Sequence, residues 1–487
     1  MLVKNKSFQL AASELLAMAV LDVFPQAKIL ESYITPLGFG LDFIANHPVD
    51  DTAFSLIDER MRILIKQDLS FERVDMMREN AVSLFKHQGQ SLIAERIAKD
   101  LRNIIPLTRI NEYYGYNSLS ESLNSKGIGE GKLLNFSSKE DLQRKLGSPT
   151  VTSFEGVLCK DSKSARQFFK KYKEQKRQDH RVLGSEMELF FQPTHALPGD
   201  YTWLPRGESI KNEWMSLWKI LHKQQAYDFI SSSKWFEKPQ AKQKNTRIFP
   251  TLTIDSKEIQ YLSDYSGWVE DLFKLSLSRK LPLRLAEISK SLTISDSRKN
   301  LGLLTADVYT ADNAYCLCEE EQAATELISS LQFLIKSINM FAVEHRWYLI
   351  VHVSQAADHQ RAKDLAFEML VKALQVAGIE YTLEYDEKND SVPRVQARII
   401  DSLEREWDSA SLRVSFYETK GTLLGKERKR ADRRLFLIKR SLFGSLERFI
   451  ALLLERHAEL LPSFIEKIFG EVHAKDSFHA NQGTKVE

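Results

Sequence analysis

Few side chains in this sequence have the types and spacing that catalytic or metal-binding chemistry requires. The cysteines are Cys159, Cys316 and Cys318, and none belongs to a Cys-x-x-Cys pair of the kind that predicts a zinc ribbon. A strand would place Cys316 and Cys318 on one face, where we expect them to be small core residues. The histidines form no His-x-x-x-His or His-Glu-x-x-His pair, and no glycine-rich phosphate-binding loop occurs. The sequence therefore contains no self-sufficient catalytic motif.

Positive charge is concentrated in two segments, although the whole chain has a formal charge of only +2. Residues 160–181 contain nine Lys or Arg against three Asp or Glu, and residues 419–440 contain nine against two. Such surface cations attract nucleic-acid phosphates, and the alternative interpretation is a solvated helix face and a solvated hairpin tip. We do not expect base stacking from these segments. The candidate nucleic-acid-binding residues are Lys170, Lys171, Lys176, Arg177, Arg428, Lys429 and Arg430.

Hydrophobic periodicity predicts an α+β protein with more than one domain. Residues 8–23 and 52–67 have helical spacing, residues 67–77 alternate like a strand, and residues 162–190 read as one long basic helix. Strand-like runs then alternate with helical runs, which favours a large antiparallel sheet flanked by helices. We predict a first α+β domain over 1–155, a basic linker helix over 156–190, a sheet domain over 191–470 and a disordered polar tail over 471–487.

No targeting or membrane-spanning segment is predicted. Glu14 and Asp22 interrupt the N-terminal apolar run, which also has no small-residue cleavage site. No stretch reaches the ~18 apolar residues that a spanning helix needs. We therefore expect a cytoplasmic protein without a membrane partner.

Several strings match threonyl-tRNA synthetases in the order that this family has them. KQDLSFERV resembles a strand of the family's editing domain, QDHRVLGSEMELFF its linker, and YTWLPRGESIKNEW the entry to its catalytic core. LPLRLAEIS precedes the second class II signature motif, and GSLERFIALLLERHAELLP resembles the third. The resemblance covers nearly the whole chain and implies an editing-type domain followed by a class II antiparallel-sheet catalytic domain. Neither the ubiquitin-like module nor the anticodon-binding domain of the family is expected in this chain.

The resemblance implies that the editing site has lost its chemical groups. The family carries His-x-x-x-His on its first editing helix, and a later Cys and His complete the site. These positions correspond to Leu10, Glu14, Ser120 and Asn124 here. None of the four supplies a thiolate or an imidazole. We expect a repacked helix, and the alternative is a rearranged site that uses Glu14.

The resemblance implies a larger loss in the synthetic site. In the family, arginines and Mg²⁺ neutralise the ATP phosphates, and a zinc ion held by Cys, His and His selects threonine. Two arginine positions correspond to Thr293 and Thr305, and the zinc-ligand positions correspond to Tyr265, Tyr315 and Lys439. One hydroxyl cannot replace the five donors and permanent charge of a guanidinium. We expect no bound metal and none of the family's ATP, Mg and Zn as cofactors.

Some positions of the synthetic site keep the family's residue. Arg448 occupies the third-motif arginine position that would face ATP, and Arg284 and Glu287 remain in LPLRLAE. We interpret Arg284 and Glu287 as ion-pair residues that fix the sheet. Two substrate-side glutamines of the family correspond to Asp408 and Arg413. One surviving arginine cannot supply the transition-state stabilisation of a full clamp.

These losses predict a catalytically inactive synthetase-like protein that binds a partner, either tRNA or a protein such as a genuine threonyl-tRNA synthetase. One alternative is an enzyme with residual or altered ATP-dependent activation. Another is a structural or interaction protein that binds no nucleic acid. A homodimer is compatible with the sequence, although Ser233 stands where the family has a dimer-interface proline.

Overall fold

The chain folds into two compact units, residues 1–174 with 403–405, and residues 175–402 with 406–487. The division lies inside the segment that the sequence predicts as a linker. None of the helices among the described residues has the length and apolar character needed to cross a membrane. The computed structural model describes residues 2–117, 119, 122–140, 150–197, 199–237, 251–254, 257–261, 280–292, 301–352, 360–386, 392–418, 434–461 and 463–468.

The first unit packs helices against two antiparallel sheets, with strand orders β1-β2-β8-β7 and β5-β4-β3-β6. Its strands are β1 Lys28–Ile34, β2 Gly38–Ile44, β3 Ser70–Met77, β4 Ile104–Ile110, β5 Tyr113–Gly115, β6 Leu123–Asn124, β7 Glu130–Glu140 and β8 Thr150–Cys159. Its helices are α1 Lys6–Val23, α2 Asp51–Lys66, α3 Arg78–His87 and α4 Ser91–Ala98, and α5 Ser162–Arg177 contains the division between the units.

The first helix forms where the sequence predicts it. Asn5 caps its N-terminus by accepting hydrogen bonds from the backbone N–H groups of Ser7 and Phe8. Its residues Leu15 and Leu16 are fully buried in the core of this unit. The helix predicted over residues 52–67 and the strand predicted over residues 67–77 are also present as α2 and β3.

The predicted single helix over residues 162–190 is wrong. Two helices occur instead, α5 and α6 His180–Glu186. Asp179 separates them in extended backbone and caps α6, because its side chain accepts a hydrogen bond from the backbone N–H of Arg181 at 2.8 Å. Strand β8 extends to Cys159, so regular structure of the first unit continues past residue 155.

The second unit is built on an eight-stranded sheet with the order β11-β15-β16-β21-β20-β19-β17-β18. Its pairs are antiparallel except β11 with β15 and β17 with β18. The helices after α6 are α7 Pro205–Gln224, α8 Glu320–Met340, α9 Gln360–Ala377 and α10 Leu446–His457. The strands of the large sheet are β11 Asp228–Phe229, β15 Leu283–Leu292, β16 Val308–Glu319, β17 His345–His352, β18 Thr382–Asp386, β19 Arg394–Ile400, β20 Glu406–Glu418 and β21 Arg434–Ser441. Two smaller sheets pair β9 Phe190–Phe191 with β10 Thr202–Trp203, and β14 Lys257–Tyr261 with β12 Trp235–Glu237 and β13 Thr251–Ile254.

The core of the second unit lies between the large sheet and its helices. Trp214 and Trp218 of α7 are fully buried in it. Cys316 and Cys318 of β16 lie in the same core with no exposed surface, which confirms that they are core residues on one face of a strand.

A single buried carboxylate holds the end of β21 and the start of α10. Asp312 of β16 accepts hydrogen bonds from Trp218 Nε1 at 3.0 Å and from Ser441 Oγ at 2.9 Å. It also accepts the backbone N–H groups of residues 442–444 at 2.6–3.1 Å. Five donors therefore converge on one side chain that is only 4% exposed. Charge-assisted hydrogen bonds of this kind are the strong ones, and they fix the turn that joins β21 to α10.

We predict that Asp312→Ala destabilises the second unit strongly. The substitution leaves several buried N–H groups without an acceptor, which costs about 3–5 kcal/mol of unfolding free energy. Urea unfolding followed by circular dichroism measures this loss. The matched control is Asp228→Ala, since Asp228 is exposed, and it should change stability by less than about 0.5 kcal/mol. Equal stability of the two variants would contradict the role of Asp312.

Candidate functional site

The structure places only part of the residues that the resemblance singles out. Leu10, Glu14 and Asn124 lie in the first unit, and Thr305, Tyr315, Lys439 and Arg448 lie in the second. The predicted positions outside the described residues are Ser120, Tyr265, Thr293, Arg428, Lys429, Arg430 and the tail over 471–487.

Two of the editing positions, Leu10 and Asn124, make packing or hydrogen-bond contacts within the first unit. Leu10 is partly buried and packs against the core of the first unit. Asn124 is exposed on β6, where its Oδ1 accepts a hydrogen bond from the backbone N–H of Lys126 at 3.0 Å. Neither the alkyl side chain of Leu10 nor the amide of Asn124 can transfer a proton near neutral pH.

Of the described editing positions, Glu14 has a side chain that can transfer a proton. Its carboxylate is enclosed by neighbouring residues. Tyr113 donates its hydroxyl to Oε2 at 2.7 Å, and Asn117 donates Nδ2 to Oε1 at 3.1 Å. Gly115 lies so close that any side chain there would collide with the carboxylate. Burial raises the pKa of Glu14 to about 7, against the lowering effect of hydrogen bonds such as those from Tyr113 and Asn117. With 1% of its surface exposed, Glu14 is a structural acid inside a closed network.

The two zinc positions that the structure describes are direct neighbours in the large sheet. Tyr315 on β16 pairs with Lys439 on β21, so both side chains project from the same face. The Lys439 ammonium lies 5.5 Å from the centroid of the Tyr315 ring, as a cation–π contact. The pair at these two positions, which only the resemblance assigns to zinc ligands, consists of a phenol and a cation.

Beside Tyr315 this face of the sheet carries a buried acid, Glu287, and a cluster of leucines. Tyr315 donates its hydroxyl to Glu287 Oε1 at 3.3 Å, and Glu287 also accepts from the backbone N–H of Ser232 and from Lys234 Nζ, each at 3.1 Å. Glu287 is therefore held from three sides and has no exposed carboxylate for catalysis. The buried leucines packed with Tyr315 are Leu283, Leu285, Leu317, Leu435 and Leu437.

The residues on the expected ATP side make structural hydrogen bonds. Thr305 Oγ1 accepts the backbone N–H of Leu301 at 2.8 Å. The retained Arg448 donates Nε to the carbonyl of Leu304 at 2.8 Å and Nη1 to the carbonyl of Asp408 at 3.2 Å. Burial lowers the pKa of the Arg448 guanidinium. Arg448 thus ties a turn and a strand to α10.

Comparison with known proteins finds sequence relatives that match most of the chain. The sequence is 24% identical over 471 residues to the threonine–tRNA ligase of Nitratidesulfovibrio vulgaris, covering 94% of this chain and 72% of that protein. It is also 24% identical over 482 residues to the threonine–tRNA ligase of Clostridioides difficile, covering 94% and 73%. The chain is a threonine–tRNA ligase homologue. No model of a protein family matches it.

Part of the fold of this homologue is also found in a solved structure. The RNA binding domain of threonyl-tRNA synthetase from Cryptosporidium parvum Iowa II superposes with a TM-score of 0.50 and 22% identity. That match covers 57% of this chain and 72% of the other. The predicted α+β fold, with an editing-type domain and a class II antiparallel sheet, is confirmed.

The homologue exposes a basic face on α5. Its apolar residues Ala165, Phe168 and Tyr172 face the core of the first unit. The candidates Lys170, Lys171, Lys176 and Arg177 are all exposed. Four exposed cations of α5 lie in the first unit at spacings of three and four residues, which places them on one helix face. We call this set the stripe, and it consists of Lys163, Arg166, Lys170 and Lys173.

The large sheet carries a row of cations that the sequence pattern does not predict. Lys439 pairs with Arg413 of β20, and Arg413 pairs with Arg394 of β19. Directly paired residues share a face, so the three side chains stand side by side on the face of Tyr315. We call Arg394, Arg413 and Lys439 the cation row. Only strand register brings them together, because Arg394 and Lys439 are 45 positions apart in the sequence.

One cluster has the residue types of a metal site, but both nitrogens of its histidine are hydrogen-bonded within the protein. Asp179, His180 and Glu455 bring potential ligand atoms within 4.8 Å of one another. His180 Nδ1 is 2.7 Å from Glu455 Oε1, and His180 Nε2 accepts the backbone N–H of Leu303 at 3.0 Å. Both ring nitrogens are therefore engaged, and the histidine is a structural residue of the core.

We predict that zinc does not bind to the wild-type chain and that Tyr315→His with Lys439→His creates a weak site. The double variant would place two imidazoles on directly paired strand positions, whereas each single variant provides one. Visible absorption of Co²⁺ and zinc content after dialysis measure the gain. Zinc retained by the wild type, or a double variant no better than the single variants, would contradict this geometry.

The burial of Glu14 predicts a pH-dependent stability of the first unit. Between its ordinary pKa of 4.5 and about 7, folded Glu14 holds a proton that the unfolded chain releases. The unfolding free energy should therefore fall as pH rises through this window, by about 3 kcal/mol, and stay level above it. Hydrogen exchange of the slowest α1 amides, corrected for intrinsic rates, measures the change.

Two variants isolate this effect. Glu14→Gln should remove the fall, so its stability relative to the wild type rises with pH. Glu79→Gln, at an exposed position of α3, should follow the wild type at every pH. A Glu14→Gln difference that does not depend on pH would refute the assignment.

Proposed function

We propose that this threonine–tRNA ligase homologue does not activate threonine and instead binds RNA, with tRNA as the expected partner. The observation that carries the first part is the Tyr315–Lys439 pair at the zinc positions. A zinc ion needs lone-pair donors, and an ammonium has none. The charge of Lys439 would also repel a dication at the same place.

The nucleotide side supports the same proposal. Thr305 uses its oxygen to accept a backbone hydrogen bond, and Arg448 is committed to two carbonyl groups. Asp307 adds a buried carboxylate beside this turn, where a triphosphate would need positive charge. Adenylate formation depends on preorganised cations at the developing phosphate charge. Of the two aligned positions described on this side, Thr305 is uncharged and Arg448 donates to backbone carbonyls.

The exposed stripe of α5 supports RNA as the partner. From Lys163 to Lys173 it runs about 15 Å along the helix axis, at 1.5 Å per residue. Cations in such a line can each meet a backbone phosphate and release a counterion. This contact needs no base recognition, which fits the absence of aromatic residues from the stripe.

We predict no exchange of pyrophosphate into ATP above background with threonine or other amino acids. Loss of the cations that stabilise the ATP phosphates should alone reduce the rate of amino-acid activation by at least about 10³-fold relative to a genuine threonine–tRNA ligase. The ligase of Nitratidesulfovibrio vulgaris, measured in the same assay, is the positive control. Exchange that depends on an added amino acid would overturn the proposal.

We predict that Lys163→Glu with Lys170→Glu weakens tRNA binding at least about tenfold at moderate salt and lowers the salt-dependence slope by about two. Fluorescence anisotropy with labelled total tRNA at several salt concentrations measures both quantities. The matched control is Lys86→Glu with Lys99→Glu, which makes the same charge change at exposed positions of the same unit. Equal binding by the two double variants would exclude the stripe, and no tRNA binding at all would favour a protein scaffold.

A further inference from the structure

Strand β18 forms one edge of the large sheet. It pairs in parallel with β17, and among the described residues no strand pairs with its other side. Such an edge presents backbone N–H and C=O groups that another chain can bond. Proteins often protect an edge with proline, lysine or a bulge, and the five residues of β18 include none of these. This edge can therefore accept a further strand.

Large apolar side chains accompany this edge and are exposed. Leu383 and Tyr385 of β18 are 41% and 61% exposed, and Tyr381, directly before the strand, is 36% exposed. Residues two positions apart lie on one face of a strand, and Leu383 pairs with the core residue Leu349. We call Tyr381, Leu383 and Tyr385 the apolar row. It continues the core face of the sheet outward to its edge.

We propose that β18 pairs antiparallel with β18 of a second copy of this chain, with Leu383 on the two-fold axis. The order Tyr381, Leu383, Tyr385 reads the same in both directions. In this register each Tyr381 lies opposite the partner's Tyr385, and the two copies of Leu383 face each other. Cross-strand pairs of aromatic and aliphatic side chains stabilise an antiparallel sheet. The apolar row is thus complementary to itself, as a two-fold interface requires.

The acids on the opposite face of the strand select this register. Glu384 is bonded by Arg398 at 2.7 Å, and Arg398 also lies 3.0 Å from Asp408 and 3.9 Å from Glu406. Glu406 is paired in addition with Arg346 at 2.9 Å. Three acids therefore share two arginines, and this face keeps negative charge. A pair centred on Glu384 would oppose two carboxylates, whereas a pair centred on Leu383 places Glu384 opposite a threonine.

The ends of the proposed pair carry a further electrostatic cost. Glu380 is exposed, and it would lie opposite the partner's Asp386, whose carboxylate is already engaged within its own chain. Repulsion between exposed acids is screened by salt, whereas contact between apolar side chains is not weakened by it. Association should therefore strengthen as salt rises. The proposed RNA contact on the stripe has the opposite salt dependence, and it lies in the other unit, so either proposal can fail without the other.

The size of the edge sets the strength of the dimer. Five residues extend over about 17 Å, at about 3.4 Å per residue. This is less than the roughly 800 Å² per partner of a standard interface provides for, so we expect a dissociation constant on the order of 10–100 μM. The edge does not include Ser233, the position that the family resemblance assigns to a dimer interface.

The first experiment is disulfide cross-linking under mild oxidation, with wild-type cysteines that have no exposed surface. Leu383→Cys should form a covalent dimer at least about tenfold faster than Leu101→Cys, because pairing raises the local thiol concentration. Leu101 is 96% exposed, so this control measures random collision. Tyr385→Cys alone should match the control, and an equal mixture of Tyr381→Cys and Tyr385→Cys should exceed it.

The second experiment is sedimentation of the full chain over a range of concentrations and at two salt concentrations. The mass of the wild type should rise towards double between about 1 and 500 μM, and more steeply at high salt. Leu383→Lys should abolish the rise, and the matched control Leu101→Lys should keep it. Circular dichroism checks folding, and Tyr385→Lys, at the more exposed position, replaces Leu383→Lys if that variant melts early.

Two results overturn the proposal. One is a wild-type mass that does not change over this range, or that rises equally in the lysine variant of the edge. The other is Leu383→Cys cross-linking no faster than Leu101→Cys, which excludes a two-fold axis at this position.

Discussion

The sheet of the second unit depends on the carboxylate of Asp312. It is buried and accepts hydrogen bonds from an indole, a hydroxyl and three backbone amides. These contacts fix where β21 ends and where α10 begins. Because side chains alternate along a strand, they also fix which residues of β21 face Tyr315. The position of Lys439, and with it the cation row, follows from this anchor.

Buried polar groups of the second unit support its frame through hydrogen bonds and ion pairs. Glu447 accepts the backbone N–H and hydroxyl of Thr310, at 2.6 and 2.7 Å, and Arg284 forms a two-pronged pair with Glu326. Removing one partner from such a pair leaves a buried charge uncompensated, whereas a surface catalytic group can change at little cost to stability. The fold therefore does not depend on the activity for which the family is known.

The sequence predicted what is encoded locally. Helical periodicity located α1 and α2, and the spacing of Cys316 and Cys318 placed both in one core layer. Sequence periodicity does not reveal that the helix ends before Asp179, because the basic residues around this capping residue continue the helical pattern. Contacts between residues that are far apart in the sequence cannot be predicted from local patterns. Glu14 meets partners about 100 positions away, and the cation row exists only through the register of three strands.

The pairing of Tyr315 with Lys439 has an evolutionary consequence. Each position blocks what the other would need, because an imidazole at one alone would still face a phenol or an ammonium. On the function proposed above, acquiring a zinc site at these positions would therefore take changes on two strands before either change gave an advantage. A sequence with one change would gain nothing from it, so stepwise selection would not favour that path.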